Sequence, residues 1–332
     1  MRRPLSNGEF DIIKTLFAPL SKEANGSFNL TDDAALLAAG EYIVTKDLIV
    51  GGVHFLEKDP LDLVARKLLR VNLSDLAAKG ARPVGYFLGC VWPKAIKEEA
   101  IARFAAGLAV DQDLFRIALF GGDTTKHRVS GAPLTLSATL FGTPHRQGML
   151  TRAGASVGDD LYVTGTIGDA GLGLAALEKR ETFSKLDRDY LTARYRLPDP
   201  RLVMGGALAG HASAALDVSD GLLADAAHLA VESGVRLIID AERIPLSEAA
   251  GLWLAKQAHR NASLATLASF GDDYEILFTA PASMRRAVDM ASKVSKTRVR
   301  RIGQVGKGSG VTLLDLDRNI IETTQGGFDH FA

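Results

Sequence analysis

The sequence predicts an α/β (α+β) protein of two domains, and three observations carry that expectation. The chain has 332 residues, which at roughly 100–200 residues per domain suggests two cores. Apolar strand-like runs alternate with helix-periodic runs in two successive sets. Between the sets lies "TPHRQGMLTRAGASVGDD" (143–160), rich in glycine, turn residues and charge. A boundary is expected near Gly148, giving an N-terminal domain 1–148 and a C-terminal domain 149–332.

In chain order, "GEFDIIKTLFAPL" puts Phe10, Ile13, Leu16 and Phe17 on one helical stripe. Strands are expected in "EYIVTKDLIV" (41–50), "VGYFLGCVW" (84–92), "RIALFGG" (116–122) and "LTLSATLFG" (134–142), with helices over 60–80 and 95–112. The second set reads as strand "LYVTG" (161–165), helices over 171–179 and 200–212, and strand "ALDV". Helix "GLLADAAHLAVESG", strand "VRLIID", helix "SEAAGLWLAKQAH", strand "YEILFTA", helix "ASMRRAVDMASKVS" and two closing strands follow. Each set holds enough apolar segments for its own core.

Composition narrows the function classes. With 47% hydrophobic and 23% charged residues the chain is built like an ordinary globular protein. The 39 basic and 39 acidic residues cancel, so no global field favours nucleic acid or an acidic membrane. Any anion site must be built locally. The single Cys90 excludes an internal disulfide framework and a multi-thiolate zinc site. Glu9, Asp11 and Lys14 interrupt the apolar N-terminal residues, which is not the pattern of a signal peptide, and no run of about 18 apolar residues occurs. A cytoplasmic location is the expectation.

The informative feature is acidic residues at or inside apolar segments. They are Asp32 and Asp33 in "LTDDAALL", Asp47 in "IVTKDLIV", Asp75 in "NLSDLAA", Asp123 in "LFGGDTTK", Asp217 and Asp220 in "LDVSDGLLAD", and Asp272 and Asp273 in "GDDYEILF". Any one alone reads as a turn former or helix cap. Asp47 and Asp217, however, sit inside apolar strands where neither role is needed. Two carboxylates ~4 Å apart repel by about 4 kcal/mol at an effective dielectric of about 20. If several converge, divalent cations are expected. The hard oxygen donors, without His or Cys partners, favour Mg²⁺ or Mn²⁺ over zinc. No twelve-residue calcium loop is present. Mg²⁺ held by scattered carboxylates commonly takes phosphate oxygens as further ligands, which points to a phosphorylated substrate or nucleotide.

The common phosphate loops are absent. "GTIGDAGLG" (165–173) has the wrong spacing for a dinucleotide fingerprint. Its N–H groups could cradle an anion, or Gly168 and Gly171 could serve a tight connection. "FGGDTTKHR" is better placed, since Gly121 and Gly122 allow close backbone approach beside Asp123. Arg152 offers a planar fork for phosphate.

Taken in order, "GEFDIIKTL", "DDAALL", "GVHF", "VNLSDLAAKGARP", "GGDTT", "LTRAGASVGDDLYVTGTIGDAGLGL", "LDVSDGLLAD", "GDDYEILF" and "GGFDHF" resemble the thiamine-monophosphate kinase family over essentially the whole chain. Related ATP-using enzymes make aminoimidazole ribonucleotide or selenophosphate, or mature hydrogenases. The resemblance implies an N-terminal mixed sheet with helices, pairing across a homodimer barrel, and a C-terminal α/β sandwich completing an ATP cleft. It implies several Mg²⁺ ions held by Asp33, Thr45, Asp47, Asp75, Asp123, Asp217 and Asp220. Gly122, Asp123, Arg152 and Ser219 would contact ATP; His54, Asp272 and Phe328 would contact thiamine monophosphate.

This chain departs from the family pattern in four places. It has Thr31-Asp32-Asp33 where Gly-Asp-Asp is usual, and Thr45-Lys46-Asp47-Leu48 where Ser-Thr-Asp-Thr is usual. Asp272 stands for a common Glu, and Phe328 for a common Trp or Tyr. The implied reaction is direct γ-phosphoryl transfer onto an acceptor phosphate that is already anionic, so Asp123, Asp217 and Asp220 serve as metal organisers and not as acid–base catalysts. Other syntheses within the superfamily, and a non-catalytic Mg–nucleotide regulator, are the alternative readings.

Overall fold

A computed structural model describes residues 9–24, 26–31 and 35–322. Asp33 and Phe328, expected in the metal and acceptor sites, lie outside the described residues. The chain forms two compact units. The first comprises residues 1–76 and 82–143, the second residues 77–81 and 144–332. The division at Thr143/Pro144 leaves Gly148 inside the second unit. Residues 77–81 join that unit because their backbone is taken there. Leu150 N donates to Lys79 O (3.2 Å), Lys79 Nζ donates to Ala215 O (2.9 Å), and Ala77 packs in the core around Met204 and Phe278.

In the first unit a short helix α1 (Glu9–Ile12) widens into a π turn (Ile13–Phe17) and tightens into a 3₁₀ turn (Ala18–Ser21), burying Phe17 and Leu20. The expected continuous helix is therefore broken, with Pro19 in the tightened turn. Strands β1 (Ile43–Val50), β2 (Arg82–Trp92), β3 (Ala118–Lys126) and β4 (Thr135–Thr143) form a mixed sheet in the order β1-β4-β2-β3, with only β2 and β3 parallel.

Helices α2 (Leu61–Ala78) and α3 (Glu98–Phe115) supply Leu68, Leu69, Leu73, Leu76, Phe104 and Leu108 to the core. Trp92 meets Phe104 edge-on with centroids 5.3 Å apart. The two helices are also joined by a buried ion pair. Asp111 on α3 takes Arg70 Nε at 2.6 Å and Arg66 Nε at 2.9 Å from α2. Gly107 makes the close approach possible, because a Cβ there would overlap the Asp62 backbone.

The second unit is built on a six-stranded sheet. Its strands are β5 (Asp160–Thr164), β6 (Ala214–Asp217), β7 (Arg236–Asp240), β8 (Ile276–Ala280), β9 (Val299–Gly306) and β10 (Gly310–Leu314), in the order β10-β7-β9-β5-β8-β6. One face packs on α7 (Leu222–Ser233) and α9 (Arg260–Ser269) through Leu216, Val218, Leu229, Leu264 and Leu277. The other face carries Tyr162 stacked on Phe278 at 5.1 Å, against α6 (Leu202–Leu208) and α10 (Arg285–Ser295). Helices α4 (Asp169–Leu177), α5 (Lys185–Arg196) and α8 (Glu248–Leu254) complete the unit.

Two helices escape the sequence periodicity, α5 and α9. In α5 only Leu191 and Tyr195 are buried among charged residues, and α9 is built from small residues with a weak apolar stripe. Among the described residues no helix is long and apolar enough to cross a membrane.

At the start of β5 the buried Asp160 receives Arg285 Nε (2.6 Å), Arg285 Nη2 (2.9 Å) and Arg301 Nη1 (3.0 Å). The hydrogen bonds from Arg285 hold its carboxyl below the usual range against the opposing effect of burial.

Two outcomes are expected from this packing. Gly107→Ala forces α2 and α3 apart and should lower stability by about 1–3 kcal/mol in denaturant unfolding; an unchanged midpoint would remove the close approach as a constraint. For Asp160, a folded-state pKa below the unfolded value near 3.9 means its contribution is complete above that pH and vanishes as pH falls through the folded value. Asp160→Asn should therefore lower Tm at neutral pH, with the gap from wild type narrowing below about pH 4.

Candidate active site

In the first unit the alternation along β1 sends Thr45 and Asp47 to one face and Lys46 to the other. The register settles which face is which. Asp47 pairs with Ala138 and Thr45 with Leu140, both core residues facing the helices, whereas Lys46 pairs with Thr139. On the helix face, Thr45 Oγ1 donates to Asp75 Oδ2 on α2, and Asp47 N donates to Asn72 Oδ1 at 3.1 Å. Burial first, and the neighbouring Asp75 second, push the Asp47 carboxyl up to about 7, with Lys46 pulling the other way. Two half-buried carboxylates and a hydroxyl side by side form an oxygen-only donor set of the kind a hard divalent cation takes.

Asp123 is placed differently. In β3 it pairs with Gly89, which pairs with Ser137 of β4, on the face of Lys46 and opposite Asp47. Lys46 Nζ donates to Ser137 Oγ there. This face borders a cavity of about 550 Å³ whose polar edge is Lys46, Gly122, Asp123 and Ser137 and whose apolar wall includes Phe17 and Phe87. At Gly122 a Cβ would overlap the Leu88 carbonyl, so only glycine keeps β3 close to β2 beside Asp123.

His54 lies in the turn after β1. Its Nδ1 accepts from Val50 N at 3.1 Å, and its carbonyl accepts from Lys67 Nζ at 2.8 Å. The neutral ring therefore carries its proton on Nε2. Among the described residues no group of three or more His, Cys, Asp or Glu is close enough together to hold a metal by protein ligands alone.

In the second unit "LDVSDGLLAD" is strand β6, a turn and helix α7, and the turn answers its own charge problem. Asp225, one turn into α7 and buried, accepts from the N–H groups of Ser219 (2.9 Å), Asp220 (3.0 Å) and Gly221 (3.2 Å) through one carboxylate oxygen. Burial and then Asp220 raise its pKa to about 7, while those three bonds restrain the rise. Asp217 closes β6 in a buried position, and Ser219 and Asp220 are half-buried. Arg152 sits in the segment beside the outer edge of β6, where Ala215 N donates to Thr151 O at 2.8 Å.

The loop carrying Asp272 lies against this turn. Asp272 N donates to Ser219 O and Tyr274 N to Val218 O, both at 2.8 Å. Asp272 (φ 68°) and Tyr274 (φ 50°) both adopt left-handed backbone, which costs roughly 1–3 kcal/mol per residue outside glycine. Buried acids on either side hold the loop. Asp273 accepts from Gly168 N (2.6 Å) and Ala170 N (3.2 Å) at the start of α4. Burial, with Asp169 beside it, drives its pKa well up. Glu275, fully buried, takes Arg201 through both oxygens (2.6 and 2.7 Å), Arg194 Nη2 at 2.9 Å and Thr164 Oγ1 at 2.7 Å.

The glycine-rich turn at 165–173 is thus a structural connection. Gly168 N and Ala170 N are taken by Asp273, Gly165 N by Arg298 O and Ile167 N by Pro245 O; Gly168 has φ 87°, and Gly171 lies against the Phe270 ring. Sequence reasoning missed Glu275, Arg194 and Arg201; the one signal was an acid inside the apolar run "YEILFTA".

Comparison with known proteins gives a consistent picture. Residues 31–143 match the N-terminal domain, and residues 156–315 the C-terminal domain, of the AIR synthase related protein family. The chain is 43% identical to thiamine-monophosphate kinase of Caulobacter vibrioides over 96% of this chain and 90% of that protein. With the enzyme of Escherichia coli K12 it shares 36% identity over 98% of both.

Among solved structures it is similar to thiamine-monophosphate kinase from Stenotrophomonas maltophilia, with 38% identity, TM-score 0.77, and 86% of this chain and 89% of that one covered. It is also similar to AaThiL complexed with AMPPCP and TMP, with 28% identity, TM-score 0.76, and 100% and 99% covered. Hydrogenase maturation protein HypE shares the fold at 16% identity and TM-score 0.77, over 96% of both chains. On this identity and coverage, the chain belongs to the thiamine-monophosphate kinase family of AIR synthase related proteins.

Proposed function

We infer that this protein transfers the γ-phosphoryl group of ATP to thiamine monophosphate, giving thiamine diphosphate and ADP, in the cytoplasm and as a homodimer. The observation that carries the reading is the end-to-end similarity to AaThiL complexed with AMPPCP and TMP, covering 100% of this chain. The residues present fit the chemistry. The acceptor phosphate is already an anion, so no side chain has to generate a nucleophile, and the barrier is bringing two polyanions into line.

Bound Mg²⁺ would supply charge neutralisation between the two phosphates and hold them in register. In the first unit Thr45, Asp47 and Asp75 would hold one ion and Asp123 would serve another. Asp33 is proposed to join them on the family resemblance. With at most three carboxylates per ion, coordination positions stay open for water and phosphate oxygens, as Mg²⁺ prefers.

In the second unit Asp217 and Asp220 would serve the same end from a turn whose shape Asp225 fixes. Because the Ser219 N–H is taken by Asp225, Ser219 would meet phosphate through its hydroxyl. Arg152 would add a planar donor, and Gly122 lets backbone approach the nucleotide beside Asp123. The apolar wall of the cavity next to Asp123 suits the flat face of a purine base. On the family resemblance His54, through Nε2–H, and Asp272 and Phe328 would each contact thiamine monophosphate.

Asp217→Asn and Asp220→Asn should each lower turnover by about a hundredfold or more, the scale lost with one group that stabilises transferring charge, with circular dichroism unchanged. Near-wild-type rates at low Mg²⁺ would refute the assignment. His54→Ala should raise KM for thiamine monophosphate by about tenfold, as for one charge-assisted hydrogen bond, and leave KM for ATP alone. Equal shifts for both substrates would move His54 out of the acceptor pocket.

A further inference from the structure

The second unit holds a polar cavity that the proposed reaction does not use. It measures about 350 Å³, and Asp160, Asp240, Arg243, Arg285, Arg301 and Arg318 line it. Its position along the sheet separates it from the Ser-Asp turn. Strands β5 and β6 both run antiparallel to β8 and hence in the same direction. Asp160 begins β5 opposite Ala280, whereas Asp217 ends β6 opposite Ile276. Four residues of strand separate those levels, about 13 Å.

The four arginines come from four separate places in the chain, and the two carboxylates fix them. Asp160 holds Arg285 by two bonds and Arg301 by one. Asp240 takes Arg318 Nη1 at 2.7 Å and lies 3.3 Å from Arg243 Nε. The hydrogen bonds orient the guanidinium planes of Arg285, Arg301 and Arg318 but consume few of their donors, since each carries five N–H groups, while Arg243 adds its charge beside Asp240. Four cations against two anions leave a surplus of two positive charges around a polar space. In a protein whose formal charge is zero, that surplus is a local arrangement. Guanidinium forks held by carboxylates at their backs are suited to bidentate contact with phosphate oxygens.

We propose that this cavity is a second anion site, distinct from the phosphoryl-transfer residues, which binds a diphosphate group. A diphosphate carries enough negative charge to balance the surplus and enough oxygens to meet more than one guanidinium, whereas a single phosphate meets only part of the ring. The site would let the protein bind a diphosphate-bearing molecule without blocking turnover.

The test uses the full chain in Mg²⁺-free buffer at low ionic strength, titrated calorimetrically with inorganic pyrophosphate and separately with inorganic phosphate. Wild type should bind pyrophosphate more tightly than phosphate. Arg318→Gln should weaken pyrophosphate binding about tenfold, and Arg243→Gln with Arg318→Gln further, on the scale of one charged hydrogen bond per guanidinium. Both side chains are about half exposed (48% and 59%), so Tm should move little, and the single variant stands if the double one is impaired. Kinase turnover in both variants should stay within about twofold of wild type.

Three results would overturn the proposal: no binding of pyrophosphate by wild type at millimolar concentration, equal binding by wild type and both variants, or equal binding of phosphate and pyrophosphate by wild type. Loss of turnover in step with loss of binding would also overturn it, since the effect would then belong to the transfer site.

Discussion

The pairing of Glu275 with Arg201 and Arg194 is the contact on which the second unit's candidate site depends. A carboxylate with no exposed surface cannot stay ionised in isolation, and removing one partner of such a pair costs about 3–5 kcal/mol. Here the pair spans sequence separations of 74 and 81 residues, so it ties α5 and the start of α6 to the base of the Asp272 loop. Arg194 also donates to the Asp273 carbonyl at 3.2 Å, inside the loop whose two neighbours adopt left-handed backbone. The strain at Asp272 and Tyr274 is tolerated because rigid contacts surround it. The same loop forms the hydrogen bonds that align Ser219.

The acids of this protein fall into groups that the chemistry of their partners distinguishes. Asp225 is satisfied by three backbone N–H groups, Asp273 by the first turn of a helix, Glu275 and Asp111 by arginines. These carboxylates build structure. Asp47 and Asp75 are instead set beside each other, where burial and mutual repulsion lift Asp47 toward neutrality. An arrangement that unfavourable for a bare protein is what a cation would relieve. The contrast separates acids that hold the fold from acids proposed to work.

The sheet of the first unit adds a second distinction. Strict alternation puts Asp47 and Lys46 on opposite faces, and the register carries Asp123 to the side of Lys46. Among the described residues the first unit therefore offers two oxygen-donor regions, one against α2 and one beside the cavity, and not a single acidic cluster. For phosphoryl transfer, ions at two places serve better than one, since attacking and leaving oxygens both develop charge.

Much of this was legible in the chain itself. Apolar runs placed eight strands near their observed positions and gave the two closing ones without bounds; β1 and β4 alternate as half-buried strands must, while β5, β6 and β8 are buried throughout and read as short continuous apolar runs. The ordered motifs identified the family. Asp47 and Asp217 stood out as charges inside apolar runs. Helices α5 and α9 were not legible, since two buried side chains among charges, or two leucines among small residues, leave only a weak apolar stripe to read. Nor could the sequence say which acids would meet. Within one strand parity is fixed, but whether Asp47 faces Asp75 or Asp123 depends on strand register and helix packing between residues 28 and 76 positions apart. The same holds for Glu275, whose partners are named only once α5 and α6 have docked. The sequence determined the inventory of charged groups and the order of elements; the tertiary structure decided which acids are paired with protein donors and which are set beside one another, because that depends on distance and burial, which only the folded chain possesses.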